Sequence, residues 1–237
     1  MPKYAVDTEA CKKLMDAAKE RHVRITRPVS GKTFALGGAK FQIVSVNRWF
    51  GGKPNNWSIA IRLKYKRRSF LLVGDIQRAA QNAILKTGYT LKSEVYKVAH
   101  HGSYTGPSPA FMSAVHSKYA VISCGKNNDF GHPTGVVLDQ LRGLGIPTFR
   151  TDLQGHIVVL SDGKLLTWNT QPETSWECGA AVSSVRKEYV VNSRAKVFHL
   201  PECKYAKTDS ANTSAQTVSG RFLYKKGFKA CRICLHG

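Results

Sequence analysis

Acidic residues are scarce in this chain. Only 15 Asp and Glu stand against 36 Lys and Arg in 237 residues, a formal net charge of +21. Such a field disfavours cationic partners and favours polyanions, nucleic acid and phosphorylated substrates among them. No run approaches the ~18 apolar residues that a membrane span needs. The opening segment, MPKYAVDTEACKK, has charge with no apolar core behind it, so it does not read as a secretory signal. Histidine is sparse early, with His22 alone preceding Asp75. Core material, by contrast, is ample: 42% of residues are hydrophobic and 10% aromatic. The length suits one medium domain plus a small appendage. Of the six cysteines, Cys231 and Cys234 form a C-x-x-C that reads as a metal knuckle rather than a disulfide half. Reduced thiols imply a cytoplasmic chain.

Periodicity predicts a helix over 8–22, where Ala10, Leu14, Ala17 and Ala18 recur near 3.6 residues. Strands are expected at Thr33–Leu36, Phe41–Val46, Trp57–Tyr65 and Ser69–Val73, the last stopping at Gly74-Asp75. Units of strand, loop and helix then follow. Helices are expected from Gln77 to about Lys86, at Ser108–Val115 and at Gly135–Leu144, after strands at Ser69–Val73, Val95–Ala99 and Tyr119–Ser123. A meander of Phe149–Thr151, Ile157–Leu160 and Leu165–Trp168 closes the series. The pattern predicts a layered α/β or α+β domain with a mixed sheet over residues 1–169. Residues 170–187 read as a Pro-, Thr- and Ser-containing linker, and 188–237 as a small basic module. From Arg186 onward, 11 Lys and Arg face 3 acidic residues.

Two strand ends carry the candidate chemistry. Asp75 directly follows the apolar run Phe70-Leu71-Leu72-Val73, which leaves its carboxylate at a strand tip, where loops build sites. The second tip carries Lys97-Val98-Ala99-His100-His101-Gly102-Ser103. A neutral imidazole coordinates metal, and a neighbouring one orients the ligand or binds a substrate oxyanion. Either histidine of the pair fits the metal role; His100, nearer the strand tip, is favoured, which leaves His101 a catalytic role. His132, in the loop before Pro133 and Thr134, is a candidate for substrate contact or proton transfer. Pro133 is expected to preorganise the first turn of the following helix and Thr134 to cap it.

In the basic module, His199-x3-Cys203 and Cys231-x2-Cys234 have the spacing of two zinc knuckles separated by 27 residues. One structural zinc is expected there. Lys225, Lys226, Lys229 and Arg232 lie near the knuckle in sequence and are candidate phosphate contacts. Ser30-Gly31-Lys32-Thr33 imitates the end of a phosphate-binding loop, but Thr26 stands where the leading glycine is required.

Six blocks in order carry a resemblance. They are Asn56-Trp57-Ser58-Ile59, Phe70–Asp75, Lys97–Ser103, Tyr119–Asn127, Gly131-His132-Pro133-Thr134 and Phe149–Gly155. With them, residues 1 to about 168 resemble the C-terminal two-thirds of the metallo-β-lactamase-fold hydrolase domain of the bacterial ComEC/Rec2-like competence proteins. The resemblance implies an αββα sandwich with up to two metals, Zn or Mn, at the sheet edges. It implies that Asp75 is a bridging carboxylate and that His100 or His101 is the last histidine ligand. It also implies hydrolysis of a phosphodiester such as DNA by metal-activated water. The family's His-x-His-x-Asp-His cluster is absent from this chain, so the expectation is an N-terminally truncated domain. A partial gene, a separate N-terminal half carrying those ligands, and a degenerate remnant are the alternatives. Residues 189 to 234 resemble the zinc-binding module of the Ada DNA-repair protein through Tyr189–Ser193, Val197–Cys203 and Gly227–Cys234. His199 stands where that module has a cysteine, so only zinc binding carries over. The alternative function is a non-catalytic nucleic-acid-binding protein organised by that zinc.

Overall fold

The computed structural model describes residues 8–46, 48–128, 130–179, 185–206 and 209–235. Residues 1–7 of the opening segment, Asp129 of the His132 loop and 180–184 of the expected linker lie outside them.

Helix α1 (Glu9–Glu20) starts where Thr8 accepts the Cys11 N–H, and Glu9 and Lys19 complement its dipole. Its apolar stripe finds no core. None of its residues is buried, and Leu14 is 57% exposed.

Strands β1 (Thr33–Leu36), β2 (Ala39–Ile43), β3 (Ile61–Tyr65) and β4 (Arg68–Leu72) form an antiparallel meander. β5 (Val95–Lys97), β6 (Tyr119–Ile122) and β7 (Thr148–Arg150) then add in parallel to β4, giving one seven-stranded sheet in sequence order. The strand expected over Trp57–Tyr65 is shorter at its start. Pro54–Trp57 forms a 3-10 turn, because Pro54 fixes the backbone and Asn56 is drawn to cap the Gln77 N–H.

Helices α2 (Arg78–Leu85), α3 (Pro109–Val115) and α4 (Gly135–Gly143) join the parallel strands. Right-handed crossovers stepping in one direction place all three on one face. That face buries Leu71, Tyr96 and Ala120 in register against Ile84, Phe111 and Leu138. The opposite face carries Leu63, Phe70, Val95 and Tyr119 in register, and on it Leu72 is 40% exposed. A hairpin of β8 (Val159–Ser161) and β9 (Leu166–Trp168) covers its β7 end, where Trp168 stacks on Phe149 at 4.0 Å. The expected meander therefore divides: β7 joins the large sheet and the hairpin stands apart. The architecture is mixed α/β. Among the described residues no second large sheet faces the first.

Glu94 ties three strands together at the end of the sheet away from the histidines. Its carboxylate meets Arg68 at 2.5 Å and Lys118 at 3.5 Å, and its carbonyl accepts the Lys118 and Tyr119 N–H groups. Burial opposes the charge, but Arg68 and Lys118 outweigh it and hold the carboxyl below its usual range. A folded value below the unfolded one gives stability that is present above the unfolded value and lost as pH falls through the folded one. Glu94→Gln is expected to cost about 1–2 kcal/mol at neutral pH. It should also flatten the acid limb of stability, which urea titrations across pH 3–7 would read.

Short helix α5 (Thr151–Gln154) follows β7. Arg150, 1% exposed, pairs with Asp152 at 2.6 Å and donates to the carbonyls of Ser175 and Glu177. Glu173 bridges to Thr148 and Cys178 is fully buried, so residues 173–178 are docked along this edge. The C-terminal region forms a four-stranded sheet, ordered β12 (Thr213–Ser219), β10 (Arg186–Asn192), β11 (Val197–His199), β13 (Lys229–Ala230), with α6 (Gly220–Lys225) capped by Ser219. Its buried residues and those under the large sheet form one continuous core, running from Val44 to Leu235.

Candidate metal centres

Gly74 turns the chain off the end of β4. Its φ is +57°, and a Cβ there would lie 2.9 Å from Ser58 Cβ, so only glycine fits. Ser58 Oγ accepts the Asp75 N–H at 3.1 Å and donates to the Asn55 carbonyl at 2.8 Å. The Asp75 carboxylate is thereby held at the strand tip, 36% exposed.

His100 and His101 both adopt left-handed backbone, with φ of 51° and 56°. Residues other than glycine rarely do so, and each instance costs about 1–3 kcal/mol. The turn is fixed by the His100 N–H on the Gly74 carbonyl and by Thr134, whose N–H and Oγ1 both donate to the Gly102 carbonyl. Thr134 does sit before α4, but its hydroxyl is used here and makes no cap bond. Pro133 precedes that capping position, so it lies outside the first helical turn.

The two rings then part. His101 Nδ1 lies 2.6 Å from the Ser123 carbonyl. A carbonyl only accepts, so Nδ1 carries the proton and Nε2 faces Asp75 Oδ1, 3.3 Å away. A divalent ion fits between two such atoms. Ligand bonds of about 2.0–2.1 Å at a tetrahedral angle give a separation of about 3.3 Å. His100 points elsewhere: Asn55 Nδ2 donates to its Nε2 at 3.3 Å, and Thr105 Oγ1 lies 3.3 Å from its Nδ1. It is therefore His101, rather than the His100 favoured from proximity to the strand tip, that faces Asp75. Distance along the chain carries no information on ring direction once the backbone turns left-handed. Burial outweighs the attraction of Asp75 and pushes His100 below its usual value, with His101 and Lys97 adding to the shift.

His132 joins the group. Its ring stacks at 6.4 Å from His101 and meets His100 edge-on at 5.7 Å. Asn128 brackets it, accepting the His132 N–H and donating to its carbonyl. Burial first, then His100, His101 and Lys187, push His132 down to about 3. Its imidazole is neutral at physiological pH, the form that binds metal or accepts a hydrogen bond. All four candidates, Asp75, His100, His101 and His132, thus meet at one edge of the sheet. A cleft of ≈ 320 Å³ opens beside them, lined by Thr105, Phe130, His132 and Lys187 among others.

The second cluster is His199, Cys203, Cys231 and Cys234, all buried, with ligand atoms within 4.8 Å of one another. β11 ends in His199, and its pairing with β13 brings Cys231 alongside through the Cys231 N–H bond to the Phe198 carbonyl. The Leu200 N–H points at Cys234 Sγ at 3.3 Å and the Ile233 N–H at Cys231 Sγ at 3.5 Å. Such bonds support thiolate charge. Hydrogen bonds from Cys234, opposed by burial and joined by one from His199, pull the Cys231 thiol far down; the same Cys231–Cys234 bond and burial push Cys234 up. His199 Nδ1 is buried without a hydrogen-bond partner. Three sulfurs beside an orphaned nitrogen are the donor set of a tetrahedral metal site such as zinc.

Sequence spacing found this cluster. Lys225, Lys226, Lys229 and Arg232 are exposed, and none lines the cleft beside His132. What the sequence did not single out is the support: Asn55, Thr105 and Ser123 are polar residues in loops, with no spacing to mark them.

The architecture is mixed α/β, and the comparisons give the relatives of this chain. The chain is 28% identical over 172 residues to ComE operon protein 3 of Bacillus subtilis, covering 73% of this chain and 22% of that protein. It is 37% identical over 121 residues to competence protein ComA of Neisseria gonorrhoeae, covering 51% of this chain and 18% of that protein. Over 130 residues it is 28% identical to recombination protein 2 of Haemophilus influenzae, covering 55% and 16%. These relatives are competence-type proteins, and the chain spans about a fifth of their length. No family model matches it.

Proposed function

We propose that this chain is a portion of a metal-dependent hydrolase of the metallo-β-lactamase type, ComEC-like, acting on phosphodiesters of DNA or nucleotides. One observation carries the reading: Asp75 Oδ1 and His101 Nε2 lie 3.3 Å apart, with the His101 proton fixed on Nδ1 by Ser123. Asp75 and His101 are the metal ligands. His100, held by Asn55 and Thr105, and neutral His132 contact the substrate. Held there, Zn or Mn would supply Lewis-acid activation of a water, with a pKa brought toward ~7. Two protein ligands fall short of the usual set, so in this reading the rest, a His-x-His-x-Asp-His cluster, come from a segment that this sequence does not contain or from another chain. The half-open sheet face around Leu63, Phe70 and Leu72 supports this, because a second sheet would cover it.

In this reading residues 1–169 are the hydrolase domain, 170–187 the connection and 188–237 a module held by one structural zinc. The competence-type relatives and the charge of +21 support DNA as partner, with Lys225, Lys226, Lys229 and Arg232 as further phosphate contacts.

A second reading has its own observation. The Cys/His cluster is complete within this chain, whereas the Asp75–His101 pair is not. A non-catalytic nucleic-acid-binding protein organised by that metal fits as well. Metal analysis separates them. The hydrolase reading expects a second bound metal that Asp75→Ala removes while the cluster keeps its own. One metal only, lost on His199→Ala, would favour the binding protein.

A further inference from the structure

Backbone presses on the His132–Pro133 unit from two sides. On one side is the His100–His101 turn: the Thr134 N–H donates to the Gly102 carbonyl, and a Cβ on Gly102 would lie 2.8 Å from Pro133 Cβ. On the other side is Gly179, whose N–H donates to the Pro133 carbonyl at 3.0 Å. A Cβ on Gly179 would lie 2.0 Å from the His132 carbonyl oxygen and 2.6 Å from its carbon. Both atoms are backbone and cannot swing aside, so only glycine lets the two segments come this close.

Gly179 ends a strap, residues 173–179, that is fastened along its length. The Glu173 N–H donates to the Thr148 carbonyl on β7, and Arg150 Nη1 donates to the Ser175 and Glu177 carbonyls. Cys178 is fully buried, in the same core as Tyr189 of β10 and Phe198 of β11. The rings of Tyr189 and Phe198 meet edge-on at 5.1 Å, and the Phe198 carbonyl accepts the Cys231 N–H. One packed core thus links the Cys/His cluster, through Phe198, Tyr189 and Cys178, to the backbone of His132. A shared core couples two sites only if something in it has two states. The C-terminal module supplies them, because a unit this small held by one zinc folds with the ion and unfolds without it.

We propose that the 173–179 strap couples the two metal centres. With the Cys/His cluster loaded, Gly179 holds His132 in place; with the cluster empty, the strap lets go and His132 leaves the histidine group. Gly179 is a positioning residue and touches no substrate itself. The module is then a gate as well as a fold element, since the histidine edge is complete only in chains whose cluster is filled. The coupling rests on the reading above for the metal in the cluster and for the substrate contact of His132, but the placement of His132 can be measured without turnover.

The probe is diethyl pyrocarbonate, which modifies accessible neutral imidazoles, read histidine by histidine by mass spectrometry on the full chain. Exposed His22 serves as internal reference. Emptying the cluster by Cys231→Ser with Cys234→Ser, rather than by a chelator, leaves the Asp75–His101 edge untouched. Labelling of His132 relative to His22 should rise roughly tenfold, as a side chain 9% exposed becomes open to solvent. The Tyr96 and Ala120 amides should keep their protection from hydrogen exchange. Gly179→Ala should give the same rise with its cluster metal retained, and Gly143→Ala, where an added Cβ meets nothing within 4 Å, should give none. Unchanged His132 labelling in the double cysteine variant would overturn the coupling, whatever Gly179→Ala does. So would loss of the Tyr96 and Ala120 amides in that variant, or a rise in Gly143→Ala equal to that in Gly179→Ala. Any metal-dependent phosphodiester cleavage should lose kcat/KM in Gly179→Ala with metal affinity at the Asp75–His101 edge unchanged. No cleavage by the unaltered chain would remove the hydrolase reading and leave the labelling result, and the coupling, standing.

Discussion

In the proposed reading, stripping metal from the His199, Cys203, Cys231 and Cys234 set is expected to unfold the chain from residue 185 onward. The arithmetic is one-sided. A module of about fifty residues has little core of its own, whereas structural zinc contributes apparent binding of about 10–16 kcal/mol at neutral pH. Without the ion, buried His199 Nδ1 stays unpaired and the cysteines lose the charge that favours thiolate. Hydrogen exchange would read the result after treatment with a strong chelator, or in Cys231→Ser. Amides of Leu200, Cys231 and Leu235 should lose protection, while those of Tyr96 and Ala120 keep most of theirs. Because the core is continuous, some loosening should also reach Cys178 and Tyr189. Full protection at Cys231 and Leu235 in the chelated protein would show that packing alone holds this module.

The second large effect concerns the sheet edge. Asp75→Ala removes a direct ligand in the proposed hydrolase, and even partners one step removed from a metal typically cost 10–100-fold in affinity. A loss of more than about 100-fold in Mn2+ or Zn2+ affinity is expected, beyond the metal held by the cysteine cluster. Any metal-dependent cleavage of a phosphodiester should vanish with it. His101→Ala should behave as Asp75→Ala does. His100→Asn should keep the metal, since its ring nitrogens are already taken up by Asn55 and Thr105. Calorimetric titration of the three variants separates these roles. Equal retention of metal in Asp75→Ala and His101→Ala would leave the pair as a simple imidazolium–carboxylate contact.

Much of the frame was legible because it rests on short-range chemistry. Strand tips at Leu72 and Lys97 follow from apolar runs that stop at glycine or histidine. The place of α3, expected over Ser108–Val115, and the Cys-x-x-Cys spacing were equally readable. Three things were not. The apolar stripe on α1 has a helical period yet none of its residues is buried among the described residues, because periodicity reports a face and not its partner. The choice between His100 and His101 depends on two consecutive left-handed residues, set by bonds to Gly74 and Thr134 that lie far away in sequence. The cleft beside His132 belongs to neither region alone: Tyr104 meets Glu202 across about a hundred residues, and no local pattern announces such a meeting.

The central claim is that Asp75 and His101 share one divalent ion. Crystals grown with Mn2+ and measured at the manganese edge test it most directly. The account expects an anomalous peak within about 2.0–2.3 Å of both Asp75 Oδ1 and His101 Nε2. A peak on His100 with none at Asp75, or no manganese at that edge, would contradict it.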